Sequence, residues 1–310
     1  MVSFFRNLGR SRSIFAALLL ATSLFTAGCA NEILTFLEEV SKEVNKEVNQ
    51  ESNRQNSRGI DSSSDGSDSE HLELGNPSDA IADPNNADNY LLETPEYALS
   101  YNNSRGTANW ASWKLDKSWF GPAKRDNDFR ADERLPVEWY QVDGNDYKGS
   151  GYDRGHLVPS ADRTKTQGVN SNTFFMTNII PQTPDNNRET WRRMEEYCRQ
   201  LVNRGYDIYL VAGVYGGSKK IADGRVTVPK QTWKVAIAVD TGTDPKTVSP
   251  GDALVFAVDI PNNKRLSNNW RRYQLSIDDL EARTGLDFFE LLPDGLENAI
   301  ESQNVEAPRF

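Results

Sequence analysis

A chain of 310 residues, 37% hydrophobic and 26% charged, has room for one large domain or two small ones. Its net charge of −10 argues at first against a polyanionic partner, because a nucleic-acid footprint is normally basic. The distribution reverses that impression: residues 31–90 hold 14 Asp/Glu against 4 Lys/Arg, whereas residues 114–272 hold 25 Lys/Arg against 20 Asp/Glu.

The first 29 residues read as an export signal, with Arg6, Arg10 and Arg12 ahead of the apolar run IFAALLLATSLF and the small-residue stretch TAGCA. That run is too short to span a bilayer, which takes about 20 apolar residues. Ala27-Gly28-Cys29 resembles a bacterial lipoprotein box, with Thr26 where leucine is usual. The expected product is an exported chain, periplasmic, cell-surface or extracellular, anchored to the membrane through a lipid on Cys29; plain cleavage nearby is the alternative. In either case Cys198 has no intramolecular partner, and its helical spacing to Met194, Leu201 and Val202 makes it a small buried hydrophobe.

Residues 30–75 read as an acidic low-complexity tether. EILTFLEEVSKEVNKEVNQ has helical spacing of apolar residues, but SRGIDSSSDGSDSE after it cannot bury enough surface to fold alone. DSSSDGSD partly looks like a calcium loop, yet the twelfth position from Asp61 is Leu72 where a glutamate is required, which rejects that reading. His71, in SEHLELG, reads as structural.

Residues 76–310 carry the pattern of a folded domain. YALSYN, TANWASWKL, TFFMTN, DIYLVAGV, TWKVAIAVD and ALVFAVDIP are rich in β-branched and aromatic residues and bounded by Gly, Asn, Asp and Pro, which predicts strands. NRETWRRMEEYCRQLVNRG predicts a helix with an apolar stripe of Trp191, Met194, Cys198, Leu201 and Val202, stopped by Gly205. SIDDLEARTG predicts a second, with Ser276 as N-cap and Asp279 at the capping-box spacing. Strands and helices do not alternate regularly, so the class is α+β with a largely antiparallel sheet. GVYGGSKK lacks the residue order of a phosphate-binding P-loop and reads as a loop after a core strand.

Only two histidines occur, and one of them, His156, stands in GYDRGHLVPSADRTKTQ. Imidazole can take up a proton near neutral pH, so His156 is a candidate general base. A Pro-bounded loop then leads to a helix on which Asn187, Trp191, Glu195 and Arg199 recur every fourth residue and share one side. At about 1.5 Å rise per residue, Asn187 and Glu195 stand about 12 Å apart along the axis. One of them would bind an ion directly and the other through water.

YDRGHLVPSADRT, followed by TNIIPQTPDNNRETW and MEEYCR, resembles the DNA/RNA non-specific endonucleases of the ββα-metal (His-Me finger) group, the Serratia nuclease type, above all the secreted sugar-non-specific nucleases of cyanobacteria. The resemblance covers about residues 72–305. It implies a ββα-metal core with a central, largely antiparallel sheet flanked by helices, and Mg²⁺-dependent hydrolysis of DNA and RNA to 5′-phosphate ends, with Mn²⁺ as a substitute ion. It implies that His156 is the general base, that Asn187 is the direct metal ligand, that Glu195 holds the metal's water shell, and that Arg125, Arg154 and Arg199 contact phosphate and the transition state. The sequence departs from the family pattern at none of these six positions. Some relatives have a proteinaceous inhibitor, which makes one a candidate partner here.

The chemistry of phosphodiester hydrolysis asks for the same parts: a base for water, a cation on phosphate and leaving oxygen, and positive groups where charge develops. Other prominent residues have plainer readings. Asp153 orients a neighbour, Arg163 is structural, Arg192 and Arg193 form an exposed helix face, and Trp110, Trp113, Trp119 and Trp191 belong to the core. The competing function is a surface lipoprotein that binds nucleic acid for uptake or attachment without cutting it; such a binder has no need of His156, Asn187 and Glu195 together.

Overall fold

The computed structural model of the chain describes residues 69–303 and 307–308. Its strands are β1 (Tyr90–Glu93), β2 (Ala98–Asn102), β3 (Thr107–Leu115), β4 (Asp153–His156), β5 (Ile179–Gln182), β6 (Tyr206–Tyr215), β7 (Lys220–Ile221), β8 (Val226–Thr227), β9 (Gln231–Asp240), β10 (Leu254–Pro261) and β11 (Gln274–Leu275). Its α-helices are α1 (Gln167–Asn172), α2 (Arg192–Asn203), α3 (Ile277–Thr284) and α4 (Asp294–Glu301). Seven strands form one sheet in the order β1-β2-β3-β6-β9-β10-β11, every neighbouring pair antiparallel. The fold class is therefore α+β, as the sequence predicts.

Successive side chains in a strand point to opposite faces, and the long strands use both. On β9, Trp233, Val235, Ile237 and Val239 pack with Ile277 and Leu280 of α3 and Leu296 and Ile300 of α4. Ala236 and Ala238, on the other face, join the cluster of Met194, Cys198 and Leu201 from α2. Covering both faces explains why DIYLVAGV and TWKVAIAVD are almost continuously apolar, where a half-solvated sheet would alternate.

The predicted helices form. The stripe Trp191, Met194, Cys198, Leu201 and Val202 is fully buried, and Gly205 ends the segment at φ +97. Burial pushes the unpaired Cys198 thiol up to about 12, so it packs as a small apolar group and is not a nucleophile. Ser276 Oγ accepts the Asp279 N–H at 3.1 Å, and Gly285 closes α3 at φ +72, a conformation that costs glycine little.

Two local expectations shift. TFFMTN holds only a short 3₁₀ turn, Met176–Asn178, and the strand is the next four residues, Ile179–Gln182. The Asn178 side chain accepts from the Val158 N–H and donates to the carbonyls of Val158 and Thr173, so the chain before Ile179 is held by side-chain bonds instead of a ladder. The ladder partner is DRGH itself, which is strand β4. The folded part also starts before residue 76: His71, Leu72 and Leu74 are buried, and Ser112 Oγ donates to the His71 carbonyl at 2.6 Å. The export signal, Cys29 and the tether up to residue 68 lie outside the described residues. Among the described residues no helix is long and apolar enough to cross a membrane.

Candidate active site

Strands β4 and β5 pair antiparallel, with Asp153 opposite Gln182 and His156 opposite Ile179, and β5 runs on through Thr183 into a helix whose first residues, 184–185, lead to the wide turn at Asn186–Trp191. Gly155 lies against Gln182, whose Oε1 would stand 1.9 Å from any added Cβ. A side chain at that position would push the strands apart just before His156.

His156 is buried at 7% exposure, its ring edge-on to Phe174 at 4.8 Å and to Phe129 at 5.5 Å between centroids. Its Nε2 has no hydrogen-bond partner among the described residues. Burial, then the nearby charges of Arg125 and Arg154, lower the imidazole to about 3. It is therefore neutral near pH 7, with a nitrogen free to accept a proton.

Asn187 Nδ2 donates to Asp153 Oδ2 at 2.9 Å. A carboxylate can only accept, so this contact fixes which way round the amide stands and turns the Asn187 carbonyl oxygen away from Asp153. Arg188 donates twice to the same carboxylate, at 2.7 and 2.6 Å. Burial would raise Asp153, but the bonds from Arg188 and Asn187 outweigh it and hold the group below the usual carboxylate range.

The turn from Asn186 to Trp191 is a π-helix, which leads directly into α2. In a regular helix eight residues at about 100° each would leave Asn187 and Glu195 about 80° apart around the axis. A wide turn that absorbs one residue reduces the difference to about 20°, which brings the two side chains to one face.

Glu195 makes no hydrogen bond or ion pair with the described residues. Burial pushes its carboxyl up to about 7, against the pull of Lys234, Arg199 and Arg125 and with some help from Asp162. Arg199 is pinned by Asp162 at 2.7 Å, and Asp162 in turn accepts from Trp113 Nε1 at 3.2 Å. Arg125 donates to Ser160 Oγ and Asn127 Oδ1, each at 2.8 Å, and lies over Phe174. Arg154 stacks on Phe129 at 4.0 Å and has no carboxylate partner among the described residues.

The structure brings all six predicted residues, His156, Asn187, Glu195, Arg125, Arg154 and Arg199, to the lining of one cleft. A neighbouring recess shares Arg125, Arg154 and Asn187 and adds Lys148 and Tyr152. The cleft offers an amide oxygen and a carboxylate, the oxygen donors that suit a hard divalent cation, without the thiolates or imidazole clusters of a zinc site. The remaining expectations also match the contacts made. Arg163 is fully buried on the carbonyls of Glu96, Asp162 and Lys114, Arg192 and Arg193 are exposed and pair with Glu196 and Glu189, with Arg192 at the edge of the cleft, and the four tryptophans are buried.

Two residues escape the sequence reading. Lys234 is 1% exposed, with its ammonium over the rings of Trp113 and Trp191 at 4.9 and 4.6 Å. A charge in the middle of TWKVAIAVD was the readable signal, since lysine is almost never fully buried without a reason. Asp162, in SAD, gave none.

The comparisons with known proteins agree with this geometry. Residues 75–295 match the model of the DNA/RNA non-specific endonuclease family. The chain is 50% identical over 235 residues to a nuclease of Nostoc sp., covering 76% of this chain and 86% of that protein. It is 30% identical over 221 residues to nuclease C1 of Cunninghamella echinulata, covering 68% of this chain and 87% of that protein. It is 32% identical over 212 residues to the mitochondrial nuclease EXOG of Danio rerio, where it spans 63% of this chain but only 60% of that protein. A crystal structure of the EndoG/EndoGI complex has the same fold, with a TM-score of 0.61 and 23% identity over 74% of this chain and 95% of that one.

Proposed function

The chain belongs to the DNA/RNA non-specific endonuclease family, and on that premise we propose an exported, magnesium-dependent enzyme that hydrolyses DNA and RNA without sugar or sequence preference and leaves 5′-phosphate ends. What supports the reading above all is the state of three side chains in one cleft. Among the described residues His156 Nε2 is buried and makes no hydrogen bond, Glu195 makes no hydrogen bond or ion pair, and Asn187 is held by Asp153 through its nitrogen with its oxygen turned away.

In this reading His156 Nε2 takes the proton from the water that attacks phosphorus. Burial is the main reason that the imidazole is proton-poor, and the charges of Arg125 and Arg154 add to it; the substrate phosphate offsets those two charges, so the base gains proton affinity as substrate binds. Arg125 and Arg154 stabilise the negative charge that builds on the phosphate oxygens, and Arg199, fixed by Asp162, adds a third positive group. The Asn187 oxygen, with Glu195 acting through bound water, would hold magnesium or a substituting manganese, and such an ion would supply charge neutralisation at the phosphate. The cations of the cleft address phosphate, not base edges or the 2′-hydroxyl, which suits a lack of sugar preference. Export, lipid attachment through Cys29 and a proteinaceous inhibitor rest on the sequence reading and complete the proposal.

The test is cleavage of a supercoiled plasmid and a structured RNA with Mg²⁺ and with EDTA, by the wild type and by His156→Ala. The proposal expects both substrates to be cut with Mg²⁺ and not with EDTA, to fragments that ligate without added kinase, and at least about 100-fold more slowly by His156→Ala. Cleavage that continues in EDTA, or binding without cleavage in Mg²⁺, would overturn it; the second result would favour the non-cutting binder.

A further inference from the structure

On the opposite face of the sheet from the cleft, Asp278 and Glu281 of α3 and Glu301, the last residue of α4, gather three carboxylates whose oxygens all lie within 4.8 Å of one another. No arginine or lysine neutralises them among the described residues; Arg283, the basic residue of α3, is taken by Asp259 at 2.7 Å. Glu301 is 8% exposed, and its Oε1 has no hydrogen-bond partner among the described residues. Glu281 Oε1 accepts the Phe288 N–H at 2.7 Å, which steadies it. Burial, followed by the charges of Glu281, Glu297, Asp278 and Asp287, pushes Glu301 up to about 8. Such an arrangement is unfavourable in itself: like charges repel, and a buried carboxylate without a partner carries its full desolvation cost.

We infer that Asp278, Glu281 and Glu301 form a calcium site that ties α3 to α4. The donors are all carboxylate oxygens, the set that hard cations prefer. Oxygens held at about 2.3–2.6 Å from a common calcium ion stand at most about 5 Å apart, so the spacing found here fits without rearrangement. Magnesium demands near-ideal octahedral geometry and parts with its waters reluctantly, which makes it the poorer match to three carboxylates fixed on two helices. Asp278 is exposed while Glu301 is buried, so the site has an open side through which the ion enters and on which water completes its shell.

Thermal unfolding of EDTA-stripped protein, titrated with calcium chloride, tests the site. The measurements use the Asn187→Ala chain, so that an ion in the catalytic cleft does not contribute. The expected result is a saturable rise of several degrees in melting temperature, lost when Glu301→Gln or, separately, the exposed Asp278→Asn is added. Glu301→Gln in the otherwise native chain should leave nucleic-acid cleavage in Mg²⁺ unchanged. No calcium-induced rise, a rise that survives both substitutions, or an equal rise with magnesium at the same concentration would overturn the assignment.

Discussion

The Asp153 carboxylate accepts the Asn187 amide hydrogen at 2.9 Å, and by doing so decides which atom of Asn187 is left for a ligand. Asp153→Ala removes that constraint and lets the amide rotate. The Mg²⁺ concentration for half-maximal cleavage should rise by about 10- to 100-fold, the range usual for groups that orient a metal ligand. An unchanged metal requirement would show that Asn187 needs no such support.

His156→Ala should leave nucleic-acid binding nearly intact while kcat falls by roughly 10² to 10⁴, the usual contribution of a general base. Binding by fluorescence anisotropy and cleavage under single-turnover conditions separate the two. Loss of binding equal to the loss of rate would argue for a structural role of the imidazole between Phe174 and Phe129.

Gly155 stands where an added Cβ would meet Gln182 Oε1 at 1.9 Å, and Gln182 is fully buried, so it has nowhere to swing. Gly155→Ala should therefore destabilise the fold by about 1–3 kcal/mol and displace His156. A urea midpoint and a cleavage rate measured on the same preparation should both fall. A variant of native stability and activity would contradict the close approach of β4 and β5.

The fold and the site were legible to different depths. The long strands show as apolar runs because both faces of the sheet are covered, and α2 shows because its stripe repeats at helical spacing. The ββα unit is less visible. DRGH and IIPQ are four-residue strands whose pairing is set by contacts far apart in sequence, and the wide turn before α2 leaves no compositional mark. The six cleft residues were assigned together through the family resemblance of the DRGH, TPDNNRETW and MEEYCR segments, while His156, Asn187, Glu195 and Arg199 also stood out by residue type and spacing. Lys234 and Asp162 act from beneath the cleft, where only the three-dimensional arrangement shows that they neighbour Glu195 and Arg199.

His71 offers a pH-dependent check on the N-terminal boundary of the fold. Its Nε2 donates to the Pro95 carbonyl at 2.9 Å and its Nδ1 accepts from the Lys114 N–H at 3.3 Å, so both nitrogens are committed to the neutral form. Burial is the main reason that its imidazole falls to about 4 in the folded chain. The unfolded chain, with an ordinary value of about 6.5, binds a proton that the folded chain refuses as pH drops below that point. Stability is thus complete above about pH 6.5, declines down to about pH 4, and loses about 2 kcal/mol between about pH 7 and pH 5 from this group. Urea unfolding at the two pH values should show that loss in the wild type and a smaller one in His71→Gln. Equal losses would mean that His71 titrates alike in both states.

The central claim is that one cleft holds the metal at Asn187 and applies Arg125 to the phosphate. It is tested most directly by titrating Mg²⁺ against wild type, Asn187→Ala and Arg125→Ala while following both metal binding and cleavage. The account predicts weaker metal binding and a higher Mg²⁺ requirement for Asn187→Ala, and for Arg125→Ala a lower kcat at nearly the wild-type metal requirement, because that guanidinium acts on charge formed in the transition state. Equal metal affinity in wild type and Asn187→Ala would contradict it and move the metal away from this cleft.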